Sequence, residues 1–173
     1  MEFTFETAYD QKAVTIMAKV LRKTARKKRS RRSRVFGVIV VILAVLLALP
    51  LGDEAKTIDF GTVVTWIVVA VLVLVLLFED RINGYIARKR MLPGLDKAVA
   101  TFTEECYTSE TPLGSSRFVY ENITGLAETD DYFVFLFGKN HAQVYDKRTV
   151  SGGTIEEFRK MICRVTGKEI EKI

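Results

Sequence analysis

Residues 19–51 read "KVLRKTARKKRSRRSRVFGVIVVILAVLLALPL". The first sixteen positions hold ten Lys or Arg and no acid, and the last seventeen hold no charge. A second charge-free run, "FGTVVTWIVVAVLVLVLLF", fills residues 60–78. At about 1.5 Å per residue, helices of these lengths reach roughly 26 and 28 Å, close to the hydrocarbon thickness of about 30 Å. A soluble core would have to cover both runs on every side, and 173 residues leave too few to do so. The sequence therefore predicts an α+β integral membrane protein built on a two-span transmembrane helical hairpin, with spans at about 35–51 and 60–78. The first run is not read as a signal-peptide core, because residues 1–34 precede it and "ALPLGDEA" offers no clear cleavage site.

Charge sets the orientation. Residues 1–34 carry eleven Lys/Arg against three acids, while "GDEAKTID" between the runs has three acids against Lys56. Arg81, Arg88, Lys89 and Arg90 follow the second run. Basic residues thus flank both outer ends and are scarce in the loop, which predicts both termini in the cytoplasm of a cell (plasma) membrane protein. Residues 79–173 hold fourteen bases and fifteen acids, so the basicity is local to the juxtamembrane arm. That argues against nucleic acid as a partner, as does the lack of any aromatic residue in 19–34 for base stacking.

Three units follow along the chain. Residues 1–9 alternate Phe3, Phe5 and Thr7 with polar positions, the period of a strand. A lone strand needs a partner, and docking on the carboxy-terminal sheet is expected. Residues 10–92 read as the helical hairpin, opened by Asp10 as N-cap and expected to run continuously from Val14, Met17 and Leu21 into the first span. Gly37, and Gly61 with Thr62 and Thr65, would allow close helix approach within the hairpin or in a homodimer. Residues 96–173 read as a cytoplasmic β unit. "AVATFTEECYTSE" and "SRFVYENI" are two strand-like stretches around the turn "TPLGSS", and three more candidate strands follow in 124–150. In "DYFVFLFG" both faces are apolar, as in a central strand covered on both sides. "GKN" is a hairpin turn. Thr154 and Glu157 form a capping box for an amphipathic helix carrying Ile155, Phe158, Met161, Ile162 and Val165.

With "FTFETAYD", the two apolar runs, "YENITGLAET", "DYFVFLF", "YDKRTV" and "EEF", the chain resembles the YcxB-like family of bacterial membrane proteins, found mostly in Gram-positive lineages. The resemblance implies a pleckstrin-homology-like (PH-like) cytoplasmic domain, a bent antiparallel sheet capped by a carboxy-terminal helix. It supplies no catalytic residues. Here "YDKR" stands where the family often has an apolar-Pro-Lys-Arg string, and the Pro is missing.

No catalytic constellation assembles. His141 is the single histidine and sits in the hairpin, and Cys106 and Cys163 have no partner at metal-ligand spacing. The pairs Glu104–Glu105, Asp130–Asp131 and Glu156–Glu157 each have a structural reason, the last as favourable charge at a helix start. The expectation is no enzyme, no cofactor and no metal. The basic arm exceeds what topology needs, so Arg26, Lys27, Lys28, Arg29, Arg31, Arg32 and Arg34, with Arg88, Lys89 and Arg90, are expected to contact anionic lipids of the inner leaflet. Lys147 and Arg148 are the one cationic pair of the β unit that could face a ligand or partner. The first functional reading is a non-enzymatic membrane-anchored protein-interaction module, of an immunity or self-protection kind or an envelope-associated adaptor, with a membrane or cytoplasmic protein partner or a second copy of itself. The alternatives are an anionic-lipid or envelope-stress sensor and an accessory subunit of a transporter.

Overall fold

Residues 2–48 and 60–173 are described by the computed structural model. The strands are β1 (Phe3–Ala8), β2 (Lys97–Phe102), β3 (Cys106–Thr111), β4 (Gly114–Val119), β5 (Gly125–Glu128), β6 (Tyr132–Leu136), β7 (Ala142–Asp146) and β8 (Ile170–Lys172). The helices are α1 (Gln11–Lys23), α2 (Lys27–Ala48), α3 (Phe60–Leu77), α4 (Glu79–Lys89) and α5 (Ile155–Thr166). The strands form two four-stranded sheets, ordered β1-β2-β3-β4 and β7-β6-β5-β8. All pairs are antiparallel except β5 with β8.

β1 lies antiparallel along β2, with Phe3 opposite Phe102 and Ala8 opposite Lys97. It also reaches the second sheet: Thr4 bridges Ser151, and the Asp146 amide donates to Thr7 Oγ1 at 3.1 Å. The bridge brings the chains so close that a Cβ on Gly152, at φ +86°, would lie 2.0 Å from the Glu2 carbonyl oxygen. The four described α-helices between β1 and β2 therefore leave and return where Ala8 and Lys97 pair.

The period-two patterns sort the side chains into two cores. Phe3, Phe5, Phe102, Tyr107, Phe133, Phe135 and Tyr145 fill the space between the sheets, closed by Phe158, Met161 and Ile162 of α5. Phe158 meets Phe3, Phe5, Phe102 and Phe133 at centroid distances of 5.4, 4.6, 5.1 and 5.1 Å. The opposite face of β6 carries Tyr132, Val134 and Leu136, and these pack with Val144 against Ala13, Val20 and Leu21 of α1. Both faces of the "DYFVFLF" strand are thus covered. Thr154 and Glu157 cap α5 reciprocally, and Gly167 ends it at φ +64°.

Three expectations are corrected. The helix from Asp10 does not run on unbroken: it stops at Lys23 and restarts at Lys27, across a turn in which Thr24 Oγ1 donates to the Val20 carbonyl. Its first half lies on the β unit. "AVATFTEECYTSE" is two strands, because Thr103 turns the chain, its hydroxyl donating to the Cys106 carbonyl at 2.8 Å and accepting from the Cys106 amide at 3.3 Å. β8 is an added strand, parallel to β5. One described helix, α3, is long and apolar enough to cross a membrane. α2 opens with "KKRSRRSR", which leaves residues 35–48 as its described apolar part; residues 49–51 of the expected first span and the loop to Asp59 lie outside the described residues.

Candidate functional site

The basic arm folds into a junction where α1, α2, α4 and the β6–β7 hairpin meet. α1 and α4 run side by side so closely that a Cβ on Gly84 would lie 2.4 Å from Thr15 Oγ1 and 2.8 Å from Thr15 Cα. Farther along, Arg22 grips Asp80 with both fork nitrogens, Nε to Oδ1 at 2.5 Å and Nη2 to Oδ2 at 2.6 Å. Arg34 Nε bonds Glu79 Oε2 at 3.1 Å. At the α1–α2 turn, Arg26 Nε donates to the Lys139 carbonyl at 2.7 Å and Nη2 to Asn140 Oδ1 at 2.8 Å. The β hairpin is thereby tied to the start of α2.

These contacts divide the ten expected lipid-facing cations. Arg26 is held by neutral acceptors, Arg34 by Glu79, and Arg88 by Asp96 at 2.6 Å. Lys27, Lys28, Arg29, Arg31, Arg32, Lys89 and Arg90 make no side-chain hydrogen bond or ion pair among the described residues. A groove of about 1160 Å³ lies at the junction, lined among others by Arg22, Arg26, Lys28, Ser30, Arg90 and Lys139. Glu79 and Asp80 were not singled out in the sequence, and Arg22, Lys139 and Asn140 were read only as part of the basic run and the "GKN" turn; only the "ED" that follows the second apolar run hints at partners for a basic arm.

The β-unit pair is committed internally. Lys147 Nζ lies 2.5 Å from both Glu128 Oε1 and the Thr129 carbonyl, and 5.1 Å from the centre of the Phe133 ring. Arg159 binds Glu128 from the other side, Nε to Oε2 at 3.0 Å and Nη2 to Oε1 at 2.7 Å. Burial pushes the Glu128 carboxyl up, but the bonds from Arg159 and Lys147 outweigh it and hold the group below the usual carboxylate range. Arg148 forks onto Asp146, whose carboxyl that bond lowers against a smaller opposing effect of burial. The turn after β7 is therefore closed by Asp146, whose Oδ1 also accepts from the Arg148 amide.

His141 is exposed beside the Phe137 ring, Cys106 is buried with Arg117 Nε 3.1 Å from its sulfur, and Cys163 is half-buried on α5. Burial raises the Cys163 thiol above its ordinary value, the opposite of what a nucleophile needs. The structure brings neither cysteine to His141.

No curated protein and no solved structure matches the chain. A family model described as "YcxB-like protein" matches residues 102–162. The match runs from the last residue of β2 to the buried Ile162 of α5, taking in the inter-sheet core, apart from its β1 and Ala100 side chains, and the Glu128–Lys147–Arg159 cluster, and it does not include the helices that build the junction. Over residues 102–162 the chain matches the YcxB-like family model, in agreement with the resemblance read from its sequence.

Proposed function

We propose that the chain is a non-enzymatic membrane-anchored interaction module. In this reading α2 and α3 cross the bilayer as a hairpin, both chain ends lie in the cytoplasm, and a PH-like β unit is held rigidly at the inner leaflet to dock a partner protein. The observation that carries it is the contrast in burial at the ends of one chain segment. Phe36, Ile42, Leu47, Phe60, Ile67 and Leu74 are all exposed on α2 and α3, with Leu47 at 85%, whereas α1 and α4 at their feet are locked together and onto the β unit. So long an apolar surface is stable against lipid and not against water. The α2–α3 packing supports a hairpin: a Cβ on Gly37 would lie 2.9 Å from Leu76 Cδ2. The sheet order β1-β2-β3-β4 facing β7-β6-β5, closed by a carboxy-terminal helix, supports the PH-like reading.

The docking edge is β4. Among the described residues it pairs only with β3, most of its residues are exposed, and Leu113 and Val119 stand out beside its outer row of backbone groups. A photo-crosslinker placed at Ser116 in membranes tests this. The reading expects a stoichiometric adduct to one protein; self-adducts would make the partner a second copy, and no protein adduct from Ser116, with the chain intact in the membrane, would overturn the docking role.

A further inference from the structure

The junction groove has features that anchoring alone does not call for. Six of the cations that line it, Arg26, Lys27, Lys28, Arg29, Arg90 and Lys139, have no carboxylate partner among the described residues. Its one carboxylate, Glu79, is already faced by Arg34 at 3.1 Å and Arg22 at 3.9 Å. Ser30, in the first turn of α2, presents a buried hydroxyl with no hydrogen-bond partner, and it lines the same groove. Buried polar atoms are rarely left unpaired, so an orphan hydroxyl amid unmatched cations calls for an acceptor from outside the chain.

A second, shallower depression of about 510 Å³ adjoins it, lined by Lys28, Arg31, Arg32, Val35, Phe36 and Ile39. These residues recur at three- and four-residue spacing, so they form one stripe of α2 that passes from cationic to apolar in the direction of the proposed span. Lys28 lines both depressions. A ligand that fills them must be anionic at one end and hydrocarbon at the other.

We infer that this groove is a binding site for an anionic glycerophospholipid whose headgroup carries two phosphates, with the phosphates among Arg26, Lys27, Arg29 and Arg90, Ser30 Oγ donating to a phosphate oxygen, and an acyl chain along Val35, Phe36 and Ile39. Two phosphates fit better than one because the unmatched positive charge exceeds a single phosphodiester. Basic pockets at the cytoplasmic ends of membrane helices favour such headgroups. The inference rests on the anchored reading above.

The test is native mass spectrometry of the full-length chain, released from mild detergent after titration with cardiolipin, with phosphatidylglycerol at equal total charge, or with inorganic pyrophosphate. The site predicts one retained cardiolipin and about a tenfold preference over phosphatidylglycerol. Lys27→Gln with Arg29→Gln removes two charges without touching the Arg26 contacts, and retention should fall roughly 30-fold. Lys168→Gln with Lys172→Gln removes the same charge elsewhere and should change nothing. Ser30→Ala should weaken cardiolipin several-fold at unchanged net charge, an effect that a diffuse charge cloud would not produce. Equal retention of both lipids, or equal loss in the two double variants, would overturn the site; competition by pyrophosphate would overturn a lipid occupant in favour of a soluble one. Extraction of membranes at alkaline pH keeps the two readings apart: a chain that stays in the pellet but shows no lipid preference defeats only the site, and a chain released to the supernatant defeats the anchor.

Discussion

The two sheets differ in how many of their faces are covered. In β7-β6-β5-β8 the central strand β6 is buried at every position, with Phe133 and Phe135 toward α5 and Tyr132, Val134 and Leu136 under α1. In β1-β2-β3-β4 the inner face is dry at Phe3, Phe5, Ala100, Phe102 and Tyr107, but the outer face carries Glu6, Val99, Glu110 and Arg117 into solvent. The helix that makes the difference is part of the insertion between β1 and β2. Packing α1 on the β unit uses up one sheet's outer face and leaves the other sheet's outer face and its β4 edge uncovered.

Substitutions sharpen this contrast in order of size. Phe158→Ala, which opens a hole where both sheets and α5 meet, should cost about 4 kcal/mol in chemical denaturation and leave little folded β unit. Gly84→Ala puts a methyl group against the Thr15 backbone, which cannot swing aside as a side chain can; prying α1 from α4 should cost about 2 kcal/mol and raise proteolysis in the Thr24–Arg26 turn. A cost near zero would mean that α1 is not held between sheet and hairpin.

Glu128→Gln leaves Lys147 and Arg159 without their shared carboxylate. Both are partly solvated, so the loss should be about 2 kcal/mol, below the range for a fully buried pair. Because the folded-state pKa of Glu128 lies below its unfolded value of about 4.5, its contribution is complete above that pH and is lost as pH falls through the folded value. Asp146 acts in the same direction. The wild type should therefore lose stability below pH of about 4.5 more steeply than Glu128→Gln, as followed by thermal melting across pH. The smallest effect belongs to the uncovered sheet: Val119→Ser on β4 should change stability by less than about 0.5 kcal/mol yet reduce crosslinking from Ser116.

How much of this was legible in the sequence follows from where each signal resides. The capping box of α5, the alternation in residues 132–136 and the turn at Gly138 are local patterns, and each appears in the structure as written. The breaks at Thr24 and Thr103 were missed because neither contains Gly or Pro. In both, a threonine hydroxyl supplies the turn's hydrogen bond, and the first break is also held by Arg26 reaching 113 residues along the chain to Lys139. β8 is too short to show a period. The basic run was equally plain, but which of its charges are matched depends on Asp80, Glu79 and Asn140, all distant in sequence. A run of cations is visible in one dimension, and a groove among them only in three.

The central claim is that a membrane hairpin carries both chain ends on the cytoplasmic side. It is tested most directly by single cysteines at Lys56→Cys and Lys172→Cys, in a background with Cys106→Ala and Cys163→Ala, treated with a membrane-impermeant maleimide on intact cells. The account predicts labelling at position 56 without permeabilisation and at position 172 only after it. Labelling at 172 on intact cells, or protection of 56 until the membrane is opened, would contradict it.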